Sequence, residues 1–167
     1  MKIPVFVSSP TNLNPAQEQA RNLVVKQLGR FGLEARALGR SDYPTEFPLR
    51  EVLVIARHCS GGVILGFEQF RCDTGVSKRG TKSETAVDTS FPLPTPWNHL
   101  ESGILFGLGL PLLIFREKGI TGGVFDDGVT DVFIHHMPTE NDAPDRRQQF
   151  RDVFLKWQAE VRRHYYG

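Results

Sequence analysis

Apolar residues in this chain fall into short continuous runs separated by longer amphipathic stretches. KIPVFVSS, residues 2–9, is a β-branched and aromatic run ending in small polar residues, the pattern of a strand that opens into a loop. Pro4 is compatible with it because it stands at the strand's beginning. NPAQEQARNLVVKQLGRFG follows, with Asn14 as cap, Pro15 at the first helical position and Gly32 as stop. Its apolar residues Ala20, Leu23, Val24, Leu28 and Phe31 recur at helical spacing. LEARAL predicts a second strand. SDYPTEFPLREVLVIARHCSG predicts a proline-rich turn and a short helix, and GVILGF a third strand, apolar throughout.

The rhythm breaks over residues 68–96, EQFRCDTGVSKRGTKSETAVDTSFPLPTP, which is polar and lacks sustained periodicity. Connections this long inside a compact domain are usually functional loops, so this segment is expected to be a mobile insertion beside a pocket. A helix then opens at Thr95 and Pro96 and runs to a stop at Gly109. PLLIFRE and VTDVFIHHM predict strands four and five. A last helix is predicted over 144–164, with Phe150, Val153, Phe154, Trp157 and Val161 on one face. Strand and helix in alternation, with apolar strands, imply one α/β domain over 1–167 with a mainly parallel sheet.

In such folds ligands bind beyond the carboxyl ends of the strands. Three places there carry candidate chemistry: Ser8, Ser9 and Pro10 after the first strand, Gly66 and Phe67 at the end of the third, and the helix that bears Trp97, Asn98 and Glu101. Glu101 stands among apolar residues, where a core helix would carry another, and shares a face with Trp97 four residues earlier. Gly103 and Gly107 lower helix stability by about 1 kcal/mol each against alanine. Their spacing is expected to bring the helix backbone close to the sheet or to leave room for a ligand.

Composition removes several alternatives. A formal net charge of +1 is not that of a dedicated nucleic-acid binder. Cys59 and Cys72 make no disulfide framework or metal knuckle. No secretory leader pattern or membrane-length apolar run occurs, so a cytoplasmic setting is expected. GVSKRGTKS resembles a phosphate-binding P-loop, but Gly80 is followed by Thr81 where lysine is required, and a solvated basic loop is expected instead. His135 and His136 are adjacent in a strand and point to opposite faces, which argues against a shared metal ion. No nucleophile elbow is present.

ESGILFGLGLPLLI, residues 101–114, resembles the E-x-G-x-(A/F)-x-x-x-G-x-P segment of nucleoside 2-deoxyribosyltransferases. Glu101, Gly103, Gly109 and Pro111 match, and Leu105 departs from the pattern. The same segment is similar to the glutamate helix of TIR and TIR-like domains, and VFVSSP resembles the first strand and loop of both families. The transferases place an aspartate before the glutamate, where this chain has Thr95, which favours the TIR-like reading.

The resemblance implies a flavodoxin-like, TIR-like fold with five strands, and Glu101 as the catalytic residue in cleavage of an N-glycosidic bond. Ser8, Ser9, Pro10, Gly66, Phe67, Trp97 and Asn98 would then bind the substrate, with Trp97 or Phe67 stacked on a base. NAD or a related nucleotide is the expected substrate, with no resident cofactor or metal, and Lys78, Arg79 and Lys82 would hold a diphosphate. Immune-type signalling is the implied setting. The alternatives are a deoxyribosyltransferase-like enzyme and a nucleotide sensor or adaptor without turnover. Expected partners are a nucleotide or nucleoside and further copies of the chain in a homo-oligomer, with neither nucleic acid nor membrane.

Overall fold

A computed structural model describes residues 2–40 and 47–167. The proline-rich turn expected at 41–46 lies outside them. In chain order the elements are β1 (Ile3–Ser8), α1 (Pro15–Arg30), β2 (Leu33–Arg36), α2 (Pro48–Arg57), β3 (Gly62–Gly66), β4 (Phe70–Cys72), β5 (Gly75–Ser77), β6 (Thr85–Val87), β7 (Phe91–Leu93), α3 (Pro96–Gly107), β8 (Leu112–Arg116), a 3₁₀ turn (Gly123–Phe125), β9 (Ile134–His136) and α4 (Pro144–Tyr166).

The local chemistry of the helix starts is as the sequence predicts. Asn14 caps α1 through a reciprocal box with Gln17: its Oδ1 accepts from the Gln17 amide at 2.9 Å, and Gln17 Oε1 accepts from the Asn14 amide at 3.1 Å. Thr95 Oγ1 accepts from the Trp97 amide at 3.3 Å to cap α3. At the helix ends, Gly32 and Gly109 adopt positive φ angles of 70° and 68°, the left-handed conformation that stops a helix.

β1, β2, β3, β8 and β9 form one sheet in the order β2-β1-β3-β8-β9, and every neighbouring pair is parallel. This is the flavodoxin-like strand order, and the chain has that α/β fold. Side chains alternate across the sheet, so β1 sends Val5 and Val7 to one face and Phe6 to the other. On the first face Val5, Val7, Val63, Leu65 and Phe115 pack with Val24 and Leu28 of α1 and Phe154, Trp157 and Val161 of α4. On the second, Phe6, Ile64 and Ile114 pack with Val52, Ile55 and Ala56 of α2 and Leu105 of α3. The strand order reverses between β1 and β3, and that switch point is where the fold opens for a ligand.

Three expectations need correction. Residues 68–96 are not a structureless loop: β4 pairs with β7 and β5 with β6, both antiparallel and nested, so the chain leaves β3 as a β-ribbon and returns to α3. Periodicity missed these strands because each has three residues and most side chains on them are exposed. The fifth sheet strand is confined to Ile134–His136, while 129–132 are bends and 133 is irregular. Gly103 and Gly107 do not bring α3 against the sheet; both are exposed, and a Cβ on either would meet nothing within 4 Å.

Candidate active site

The first turns of α3 lie beside the carboxyl end of β1, and one hydrogen-bonded chain joins them. Asn98 Nδ2 donates to Ser8 Oγ at 2.9 Å, and Ser8 Oγ donates to Glu101 Oε2 at 2.5 Å. Asn98 Nδ2 also lies 3.3 Å from the Leu65 carbonyl oxygen, which ties the helix to β3. Ser8 and Asn98 are both 0% exposed, whereas Glu101 is half-buried and reaches the surface. Burial pushes the Glu101 carboxyl up to about 7, and the Ser8 hydrogen bond works against that rise by favouring the ionised form. Asn98 Oδ1 is buried without a hydrogen-bond partner.

Glu101 opens into a cleft of about 340 Å³ lined by Ser9, Pro10, Thr11, Asn12, Leu38, Gly39, Pro48, Gln69, Thr95 and Trp97. Trp97 is 41% exposed and forms its aromatic wall. The lining comes from segments after β1, after β2 and after β3, together with the start of α3, so it gathers the carboxyl ends of neighbouring parallel strands.

Arg40 braces one rim. Its guanidinium donates to Glu18 Oε1 at 2.8 Å and to the carbonyl oxygens of Pro10 and Thr11 at 3.1 and 2.9 Å. The hydrogen bond from Arg40 holds the Glu18 carboxyl below its ordinary range. After β8, Glu117 Oε2 accepts from the Glu68 amide at 2.6 Å and from Gln17 Nε2 at 3.1 Å. That network fastens the root of the ribbon to the end of β8.

The structure thus brings Ser9, Pro10, Trp97 and Glu101 together around one cleft. Ser8 and Asn98 are buried and do not line the cleft: Ser8 hydrogen-bonds Glu101, and Asn98 hydrogen-bonds Ser8. Two expected residues are elsewhere. Phe67 is 0% exposed and packs in the core beneath α1 and α4, so it cannot stack on a base. Gly66 lies under the Phe125 ring, where an added Cβ would come within 2.5 Å of it; the glycine serves packing.

Lys78, Arg79 and Lys82 sit in the turn between β5 and β6 and do not line the cleft. The P-loop-like stretch is that ribbon tip, with Lys78 and Gly80 at positive φ angles of 53° and 78°. His135 packs on Phe115, with ring centroids 5.8 Å apart, and burial lowers its pKa, while His136 is exposed. Among the described residues no cluster of His, Cys, Asp or Glu is arranged to hold a metal, and no helix is long and apolar enough to cross a membrane.

Sequence reasoning did not single out Thr11, Asn12, Leu38, Gly39, Pro48 or Gln69. The signal that could have found them is positional: each follows the carboxyl end of a strand or opens a helix at the switch-point edge.

No protein-family model matches the chain, and no curated protein is significantly similar to it. Among solved structures it is similar to a diflavin flavoprotein A3 from Nostoc sp., at 13% identity and a TM-score of 0.48, over 99% of this chain and 96% of that one.

Proposed function

We propose that the protein cleaves an N-glycosidic bond of a nicotinamide-type nucleotide or nucleoside, with Glu101 as the reacting carboxylate. The observation that carries this reading is the Asn98–Ser8–Glu101 chain, which aims one half-buried carboxylate into a Trp-walled cleft at the switch point of the sheet. Breaking a C–N bond at an anomeric carbon develops positive charge on the sugar. A carboxylate shielded from bulk water stabilises such a charge more strongly than one in solvent, because the local dielectric is low. Trp97 offers a face for the base, and Ser9, Asn12, Gln69 and Thr95 offer polar groups for sugar hydroxyls.

Glu101→Gln tests this. The substitution keeps the shape and removes the charge, so turnover of NAD, followed as nicotinamide release, should fall at least about a hundredfold while the far-ultraviolet dichroism is unchanged. Equal turnover in the variant would remove Glu101 from the chemistry. Nucleotide binding without turnover in the unaltered protein would mark it as a sensor.

A further inference from the structure

The cleft's charge inventory narrows the ligand. Among the described residues, Glu101 is the sole ionisable side chain in the lining, and no lysine or arginine accompanies it. Arg40, next to Gly39, directs its terminal nitrogens to Glu18 and two carbonyls, and its Nε is buried.

Helix N-termini bind phosphate in many nucleotide folds, and those of α1, α2 and α3 each offer one amide donor fewer here. α1, α2 and α3 begin at Pro15, Pro48 and Pro96, each of which lacks an amide hydrogen. In α1 and α3 a further first-turn donor is taken by Asn14 and Thr95. Among the described residues, a diphosphate entering this cleft would meet a carboxylate and no cationic side chain.

The leaving group is constrained as well. Glycosidases that expel a poor leaving group use two carboxyl groups, one to protonate it. Among the described residues this lining holds a single one. A pyridinium base needs no proton to depart: the C1′–N bond breaks, both its electrons go to the ring nitrogen, and neutral nicotinamide leaves. Water then bonds to C1′ through oxygen and gives up one proton, to Glu101 or to solvent. Cationic glycoside and water thus yield ribose, base and a proton, so charge and atoms balance. Trp97 and Glu101 together also suit a cationic ring, through the aromatic face and the opposite charge.

We infer that the cleft takes a phosphate-free N-glycoside with a cationic heteroaromatic base, the class of ribosyl pyridinium, in preference to a dinucleotide. The inference rests on the Glu101 reading above and assigns its substrate class.

The test uses the full chain with nicotinamide riboside, nicotinamide mononucleotide, NAD and inosine, measuring base release and calorimetric binding. The expected order of kcat/KM is riboside, then mononucleotide, then NAD, with at least about a tenfold span from first to last, and no release from inosine. Riboside binding should tighten as pH rises through about 7, where Glu101 ionises, and should be flat with pH in Glu101→Gln. Among the described residues no other titratable group in the lining competes for that signature.

NAD turned over or bound as well as the riboside, with Glu101→Gln inactive, would overturn the substrate class and leave the catalytic reading standing. Full activity on any probe in Glu101→Gln would sink both. Failure of the riboside to bind would overturn the inference even without turnover.

Discussion

The Ser8 hydroxyl has one proton, and its surroundings decide where that proton points. Asn98 Nδ2 donates to the hydroxyl oxygen, so the hydrogen is left for Glu101. The arrangement favours the carboxylate, yet burial wins and holds the group near 7 instead of its ordinary 4.5. That contest has a consequence for stability. Between those two values the folded protein retains a proton that the unfolded chain has released, so stability falls as pH rises across the window. The shift corresponds to about 3 kcal/mol, reduced by the carboxyl's contact with solvent. Glu101→Gln removes the titration; we expect the variant's thermal midpoint to exceed that of the unaltered protein at pH 8 and the gap to shrink at pH 5. A gap that does not change with pH would mean that Glu101 titrates normally. Glu101 and Trp97 were legible in the sequence because a carboxylate on an apolar helix is conspicuous. Phe67 was misread because β3 is apolar on both faces, and such a run carries no period to say which side chain faces a ligand.

At the scale of elements, α3 combines a well-made start with a weak middle. Thr95 and Pro96 define its first turn, while Gly103 and Gly107 sit exposed with no neighbour that a methyl group would disturb. Their backbone is helical, so alanine fits without strain. Gly103→Ala and Gly107→Ala should each stabilise the protein by about 0.5–1 kcal/mol, read from the denaturation midpoint. A loss at either position would reveal a surface that packs against those glycines in solution. Gly62 and Gly66 are the contrasting cases, since a Cβ there would lie 2.8 Å from Leu105 and 2.5 Å from the Phe125 ring. All four are glycines in apolar runs, and nothing local in the sequence separates them. The distinction is tertiary, set by what lies opposite each backbone.

Across the whole molecule, the sheet and its two cores form one body and the ribbon forms another. The cores draw on β1, β3 and β8 and all four helices, whereas the ribbon's strands pair chiefly with each other. Its tip should therefore be dispensable for folding. Replacing residues 75–87 with a short turn should leave the unfolding midpoint within about 1 °C and leave Glu101-dependent turnover intact, because none of those residues lines the cleft. A collapse of activity with an unchanged midpoint would give the tip a role at the cleft after all. The parallel α/β body was readable from the alternation of strands and helices, since burying both faces of a parallel sheet imposes apolar strands. The ribbon was not, because short exposed hairpins place few constraints on which residues are apolar.

The placement of α4 has a bearing on biosynthesis. Glu101, Trp97 and every other residue that lines the cleft have left the ribosome well before Pro144 does. Yet Phe154, Trp157 and Val161 complete the apolar face of Val5, Val7, Val63 and Leu65 that α1 covers in part through Val24 and Leu28. A nascent chain thus carries the residues of its cleft while one side of its sheet is covered by α1 alone. Until α4 docks, the part of that face which α1 leaves open is apolar surface of the kind that chaperones hold.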